Sequence, residues 1–275
     1  MLPRNSKSAE AIARYWNKSL AKKDWYSLSD NGDHVEVRIY DVIGWPFIEA
    51  QDFLADLDNH KGKDLIVSIN SPGGDVFDGF AIYNALKRWD GKVTTRNDGL
   101  AASAASFILV SGDEVQSAKN AFVMIHNAWG LVVGNKEDLE KTAGFLDQID
   151  TAIAEHYADK TGKKISDIKD LMSKETWFRG SAAKDYGLVD KVIDQEAAKN
   201  SFDLSVFSGA PDDLFGNGQK KDPTIREIEN ALRDVGVSIA KAKALASAYK
   251  DGQRDVDLSS LCQIVSKNIE TFKGA

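Results

Sequence analysis

Three short stretches of the 275-residue sequence carry residue types that could act together in catalysis. The pair Gly73-Gly74 follows an apolar run and could present backbone N–H groups at close range. Ser103 stands among alanines just before a helical stretch, in the manner of a nucleophile seated on a turn. His126 ends another apolar run and could serve as the base for that serine. We interpret this combination as the site of a serine peptidase.

The glycine pair has two readings. It could be a turn that lets a strand enter a helix, or it could donate N–H groups to an oxyanion, where one donor contributes roughly 10²–10³ in rate. A phosphate loop is excluded because no Gly-Lys-Ser/Thr follows Gly73-Gly74, and the spacing does not match a dinucleotide-binding motif.

The serine is a weak signal by itself, because a serine among alanines is commonly a helix N-cap or a small core residue. Ser106, one turn further along the predicted helix, is a rival nucleophile. Asp98 is a poorer candidate for a role in the site and has the character of a solvated turn residue.

The choice of His126 rests on the positions of the other three histidines. His34 and His60 lie in polar turns, and His156 lies on a long predicted helix. A histidine at a strand end is often structural, so the order of Gly-Gly, serine and histidine carries the prediction. No two histidines have metal-ligand spacing, and we expect neither a metal nor a cofactor.

Composition limits the classes of protein. The chain is 43% hydrophobic and 28% charged, with a net charge of −7 that argues against nucleic-acid binding. Its one cysteine, Cys262, cannot form an intramolecular disulfide, which fits a reducing cytosol. The first residues lack the apolar core of a signal peptide, and the longest apolar candidate, residues 101–110, is too short to span a membrane. We expect a cytoplasmic protein without a membrane partner.

Hydrophobic periodicity predicts strands that alternate with helices, which indicates an α/β fold with mostly parallel pairing. The predicted strands cover residues 35–39, 65–69, 93–95, 121–125 and 189–193. The predicted helices follow Pro46 and cover residues 77–89, 103–110, 135–160, 168–171 and 182–186.

The same pattern divides the chain into four parts. Residues 1–33 are a polar N-terminal extension with a short amphipathic piece around Ile12, Tyr15 and Trp16, and residues 34–194 form the peptidase domain. Residues 195–222 are polar and hold several glycines and prolines, which is typical of a mobile linker. Helical stripes over residues 223–275 predict a small helical extension.

Taken together, these segments resemble the proteolytic subunit of Clp protease. The resemblance rests on Ile69-Asn70-Ser71-Pro72-Gly73-Gly74, Ala101-Ala102-Ser103 and Met124-Ile125-His126, with Tyr186-Gly187-Leu188-Val189-Asp190 near the end of the domain. It covers roughly residues 35–193. It implies a ClpP/crotonase-like α/β fold of stacked ββα units with a long handle helix starting near Asn135.

The resemblance also implies roles for single residues. Ser103 would be the nucleophile and His126 its general base, with the N–H groups of Gly74 and Ala104 forming the oxyanion hole. A polypeptide substrate would pair as an added strand next to the glycine pair, which implicates four residues in substrate binding: Asp75, Val76, Asn127 and Ala128.

Assembly is implied in the same way. Subunits of this family form rings, commonly of seven, that stack into double rings through the handle helix. A hexameric ATPase is a further partner that the resemblance suggests.

The sequence departs from the family most clearly at the third member of the triad. Counting back from Tyr186-Gly187 places Glu175 where the family has its aspartate. Glutamate can orient an imidazole as aspartate does. Asp170 and Asp167 remain rivals at this stage.

The Glu175 segment and the helical extension look like the Clp-related head maturation proteases of tailed phages and prophages, which would place the protein in a bacterial host cytoplasm or a prohead. The alternatives are a housekeeping Clp subunit that degrades unfolded chains, a crotonase-like hydratase acting on coenzyme A thioesters, and a catalytically weak ring or scaffold subunit. The Ser103–His126 pair argues against the hydratase.

Overall fold

The structure is a computed structural model, and its described residues form two compact units. In the first unit, Met1–Asn217, it describes residues 13, 25–47, 49–130, 132, 134–195, 198, 202–204, 206–211 and 214. In the second, Gly218–Ala275, it describes residues 226, 229, 233, 238–240 and 243, and all of these except Ser238 are helical. The amphipathic piece predicted around residues 12–16 lies outside the described residues, apart from the buried Ala13.

Eight strands and six helices make up the described part of the first unit. The strands are β1 (Tyr26–Asp30), β2 (His34–Ile39), β3 (Asp64–Ser71), β4 (Val93–Ala102), β5 (Glu114–Ala118), β6 (Phe122–Ile125), β7 (Thr176–Arg179) and β8 (Lys191–Ile193). The helices are α1 (Ala50–Asp58), α2 (Val76–Lys87), α3 (Ala104–Leu109), α4 (Lys136–Thr161), α5 (Ile165–Ser173) and α6 (Gly180–Tyr186).

One sheet contains all eight strands, in the order β1-β2-β3-β4-β5-β8, with β6 added to the carboxyl half of β4 and β7 added to β6. Pairing is parallel except at β1–β2 and β6–β7. The strand β4 therefore changes partner, because residues 94–97 pair with β5 and residues 100–102 pair with β6. This mixed architecture confirms the predicted α/β class.

Alternating side chains of β4 and β6 face two separate cores. Ala101, Val123 and Ile125 belong to the larger core beneath the helices. Leu100, Ala102 and Met124 face the other way and form a smaller core. Because neighbouring residues of a strand point to opposite faces, the paired parts of β4 and β6 are buried on both faces of the sheet.

The long helix α4 begins and ends where the sequence predicted. Asn135 accepts a hydrogen bond from the N–H of Asp138, and the Asp138 carboxylate accepts one from the N–H of Asn135, which completes a capping box. At the other end Gly162 has φ +67°, a left-handed conformation that glycine adopts at little cost.

Three strands were missed, and the ordered region starts earlier than predicted. Within the predicted N-terminal extension 1–33, Trp25 is buried and β1 pairs with β2 around a turn. Aromatic packing of Trp25 and Tyr26 on Phe53 stabilises this hairpin. The polar composition of residues 1–33 gave no sign of it. The strand β5 was also missed, and the Glu175 segment continues into the unpredicted strand β7.

The predicted linker 195–222 contains residues that pack on the domain. Leu204, Phe207 and Ala210 are buried and extend the smaller core. Their apolar side chains pack on the face of β4 and β6 that belongs to the smaller core. Residues 202–204 and 206–211 are thus ordered by burial and do not behave as the linker we predicted.

Candidate active site

Ser103 lies immediately after β4, at the start of α3. Its backbone has φ +54° and ψ −127°, and its N–H donates to the carbonyl of Met124 over 3.1 Å. A positive φ is unusual for a residue with a side chain and costs of order 1–3 kcal/mol. Although Ser103 occupies the N-cap position, its hydroxyl does not cap α3. The hydroxyl is therefore available for another partner.

That partner is His126, which follows β6. The Nε2 atom of His126 lies 2.7 Å from the Oγ of Ser103. The pairing of Ala102 with Met124 brings the ends of two parallel strands to one edge of the sheet, and the serine and the histidine follow these strands. The predicted pair is thus assembled directly by the sheet.

The imidazole of His126 is held in its neutral form. Burial lowers its pKa from 6.5 to about 4, and the negative charge of Glu175 acts in the opposite direction. A neutral imidazole with a serine hydroxyl on Nε2 can accept the proton of that hydroxyl, which is what a general base must do.

The rival serine has a structural role. Ser106 is buried, and its Oγ donates to the carbonyl of Ser103 over 2.6 Å and lies 2.7 Å from the hydroxyl of Tyr157. These contacts join α3 to α4 and support the backbone that carries Ser103. Ser106 has no access to a substrate in this arrangement.

The other residues that the sequence analysis set aside also have structural contacts. His156 stacks on Tyr83 with ring centroids 3.9 Å apart. Asp98 is buried, where it accepts hydrogen bonds from Tyr40 at 2.6 Å and from Arg96 at 2.8 Å. The prediction of a solvated turn at Asp98 was wrong, because β4 continues through this residue.

The glycine pair wraps closely around the nucleophile. A Cβ added to Gly73 would lie 2.7 Å from the Cβ of Ser103 and 3.0 Å from the N atom of Ala104, and one added to Gly74 would lie 2.0 Å from the carbonyl of Ile43. Both glycines have positive φ, +99° and +153°. Of the two glycines, Gly73 is thus the one whose added Cβ would meet Ser103, whereas the resemblance assigned the donor role to Gly74.

Two backbone N–H groups near the glycine pair and the serine have no acceptor among the described residues. The N–H of Gly73 donates to Ser71 Oγ over 3.1 Å. The N–H groups of Gly74 and Ala104 donate no hydrogen bond within the described part of the chain. Ala104 directly follows Ser103, and its N–H is one of the unsatisfied donors at the start of α3. The role of both N–H groups in an oxyanion hole stays a prediction.

Asp75 and Val76, the predicted substrate-binding residues, lie at the start of a helix. Val76 begins α2. The carboxylate of Asp75 caps this helix by accepting hydrogen bonds from the N–H groups of Phe77 and Asp78. The N–H of Asp75 is occupied by the carbonyl of Ile43, at 2.9 Å. The side chain and the N–H of Asp75 are therefore engaged within the chain, and substrate binding by Asp75 and Val76 stays a prediction.

Asn127 and Ala128 continue from His126 at the surface. Asn127 is exposed, and the N–H of Ala128 donates to the carboxylate of Asp150 over 2.6 Å. Asp150 is buried on α4, and burial raises its pKa. Asp150 was not predicted from the sequence, where its signal was an acidic side chain between Ile149 and Ile153 on an apolar helix face.

Glu175 shares one backbone feature with Ser103. They are the two residues other than glycine that have positive φ in the described part of the chain, +50° for Glu175. The carboxylate of Glu175 makes no hydrogen bond with His126 among the described residues, although its charge acts on the histidine. Asp167 and Asp170 are exposed on α5, which leaves Glu175 as the carboxylate whose charge acts on His126.

A serine hydroxyl in contact with a buried imidazole, at the start of a helix, is the arrangement expected of a serine hydrolase. The sequence model of the Clp protease family matches residues 48–196. A protein of Chlorokybus atmophyticus described as "ATP-dependent Clp protease proteolytic subunit" is 34% identical over 176 residues, which cover 62% of this chain and 77% of the relative. The chain belongs to the Clp protease family and is a serine-type peptidase.

No helix in the described part of the chain is long and apolar enough to cross a membrane.

Proposed function

We propose that the protein cleaves polypeptides through an acyl-enzyme formed on Ser103. The observation that carries this proposal is the 2.7 Å contact between Ser103 Oγ and His126 Nε2. His126 takes the hydroxyl proton as the serine attacks the peptide carbonyl, and later gives that proton to the leaving amine. Water then attacks the acyl-enzyme with His126 again as base, which releases the second product.

The oxyanion of each tetrahedral intermediate is stabilised by the N–H groups of Gly74 and Ala104. Neither N–H donates a hydrogen bond within the described residues, and Ala104 directly follows Ser103. Fixed donors stabilise charge that develops during the reaction without reorganising.

Glu175 is the proposed third member of the triad. Its positive φ and its electrostatic effect on His126 support this role. A carboxylate at Nδ1 keeps the imidazole in the tautomer that leaves Nε2 free to accept the serine proton.

The proposed substrates are capsid or scaffold proteins of a tailed phage or prophage, processed by a homo-oligomeric ring of this protein. The exposed apolar residues Leu139 and Phe145 on α4, with Phe77 stacked on Phe145, support assembly through this helix. The family relationship supports a second candidate, a Clp proteolytic subunit that degrades unfolded chains delivered by a hexameric ATPase.

Labelling with a fluorophosphonate probe tests the catalytic proposal. We expect the wild-type protein to be labelled at Ser103, and Ser103→Ala to lose both labelling and peptide hydrolysis. Ser106→Ala is the matched control and should keep the label at Ser103. Labelling of Ser103→Ala at the wild-type rate would exclude Ser103 as the nucleophile.

A digestion experiment separates the two substrate classes. The purified protein is incubated with a phage capsid precursor and, separately, with an unfolded chain in the presence of a Clp ATPase and ATP. Limited cleavage of the precursor at defined sites supports head maturation. ATP-stimulated degradation of the unfolded chain to short peptides supports the housekeeping role.

A further inference from the structure

The residues that follow the sheet cover the proposed catalytic histidine. We call residues 202–204 and 206–211 the C-terminal segment. Phe207 is 3% exposed, and its ring meets those of His126 and Trp177 edge-on, each at a centroid distance of 5.7 Å. The segment is anchored by the buried side chain of Leu204 in the smaller core.

The same segment binds the carboxylate of Glu175. Ser208 donates to Oε2 from its N–H at 3.0 Å and from its hydroxyl at 3.1 Å. Gly209 donates to Oε1 from its N–H at 2.6 Å, and the indole N–H of Trp177 donates to the same oxygen at 3.2 Å. Three of these four hydrogen bonds come from the C-terminal segment.

A carboxylate has about four lone-pair sites that can accept hydrogen bonds. The four hydrogen bonds to Glu175 occupy all of them. Glu175 therefore has no acceptor site left for the Nδ1–H of His126, and no described side chain accepts a hydrogen bond from that atom. The bound Glu175 affects His126 through its charge alone.

We propose that Phe207, Ser208 and Gly209 are positioning residues that hold Glu175 away from His126, so that the C-terminal segment must detach before the triad is complete. The inference rests on the proposed roles of Ser103, His126 and Glu175. When the segment leaves, the carboxylate loses three donors and regains acceptor sites for the imidazole. The departure of Phe207 also removes the aromatic ring that contacts His126.

Two substitutions weaken this contact in different ways. Phe207→Ala removes the buried ring that fixes the segment against His126. Gly209→Val leaves that ring in place, but a Cβ at residue 209 would lie 3.2 Å from Glu175 Oε1 and press on the bound carboxylate. Val206→Ala is the matched control, because Val206 packs on the smaller core and does not bind Glu175.

The first measurement is the rate of fluorophosphonate labelling. We expect both variants to react about tenfold faster than the wild type, because each shifts the population toward the state with the segment detached. Val206→Ala should react within about twofold of the wild-type rate. Rates in both variants that equal the wild-type rate, or fall below it, would overturn the proposal, since they would mean that the segment is neutral or supports the site.

The second measurement is the titration of His126 by NMR, which needs no peptidase activity. Release of Glu175 toward Nδ1 should raise the pKa of His126 from about 4 in both variants and leave it unchanged in Val206→Ala. A segment with only a structural role would not move this titration in Gly209→Val. If no protein, including the wild type, is labelled, the proposed function fails, and the His126 titration alone then supports or overturns the positioning role.

Discussion

The two halves of the proposed triad are built in different ways. Ser103 and His126 follow neighbouring parallel strands in the interior of the sheet, and their contact is fixed by backbone pairing between β4 and β6. Glu175 precedes β7, the last strand added to that side of the sheet, and its carboxylate is bound by a segment from beyond the family-matched region. The contact between the proposed nucleophile and base is thus preformed, whereas we propose that the acid must leave the C-terminal segment to reach the histidine.

Removal of the preformed base should have the largest effect. His126→Gln is expected to lower peptide turnover by about four to six decades, because the serine hydroxyl then has no group to accept its proton. The measurement is turnover of a fluorogenic peptide, with His156→Gln as the control that keeps its activity. Activity of His126→Gln within tenfold of the wild type would show that the two residues do not work as a pair.

Removal of the proposed acid, Glu175, should lower peptide turnover nearly as much. Glu175→Gln is expected to lower turnover by about four decades with little effect on assembly, since an amide cannot favour the same histidine tautomer and charge. Asp167→Asn and Asp170→Asn are the controls, and both should retain activity because these side chains are exposed on α5. Wild-type turnover in Glu175→Gln would exclude Glu175 from the mechanism.

The buried base should also make stability depend on pH. In the unfolded chain a histidine titrates near 6.5, whereas His126 titrates at about 4 in the folded protein, so the unfolded state binds more protons between these values. The free energy of unfolding should therefore fall as the pH drops from 6.5 to 4, by about 3 kcal/mol from this residue.

Urea unfolding at pH 6.5 and pH 4.5 measures this dependence. His156 also has a lowered pKa and contributes in the same direction, so the comparison of the wild type with His126→Gln isolates one residue. The variant should lose less stability than the wild type over this interval. An equal loss in both proteins would mean that His126 is not buried as a neutral imidazole.

The difference between the two halves also explains what the sequence could predict. Ser103, His126 and the glycine pair follow apolar runs, and parallel strands place their carboxyl ends together, so these residues could be brought together from the sequence alone. The contact of Glu175 with Ser208 and Gly209 could not, because it joins residues more than thirty positions apart across a polar stretch. Phe202, Leu204 and Phe207 were the signal that this stretch packs on the domain.

The smallest expected effect concerns the backbone after His126. Asp150 is buried and accepts the N–H of Ala128 at 2.6 Å, so it fixes the segment that leads away from the proposed base. Asp150→Leu removes the acceptor and leaves that N–H without its partner, which should loosen the segment and raise the KM for peptides about tenfold while kcat changes less.

Asp150→Asn is the control, since its carbonyl oxygen can still accept the hydrogen bond, and its KM should stay close to that of the wild type. Kinetics of both variants over a range of peptide concentrations separate KM from kcat. An equal rise of KM in Asp150→Asn and Asp150→Leu would show that the charge of Asp150 matters more than the hydrogen bond, and an unchanged KM in both would mean that Ala128 and its neighbours do not contact the substrate.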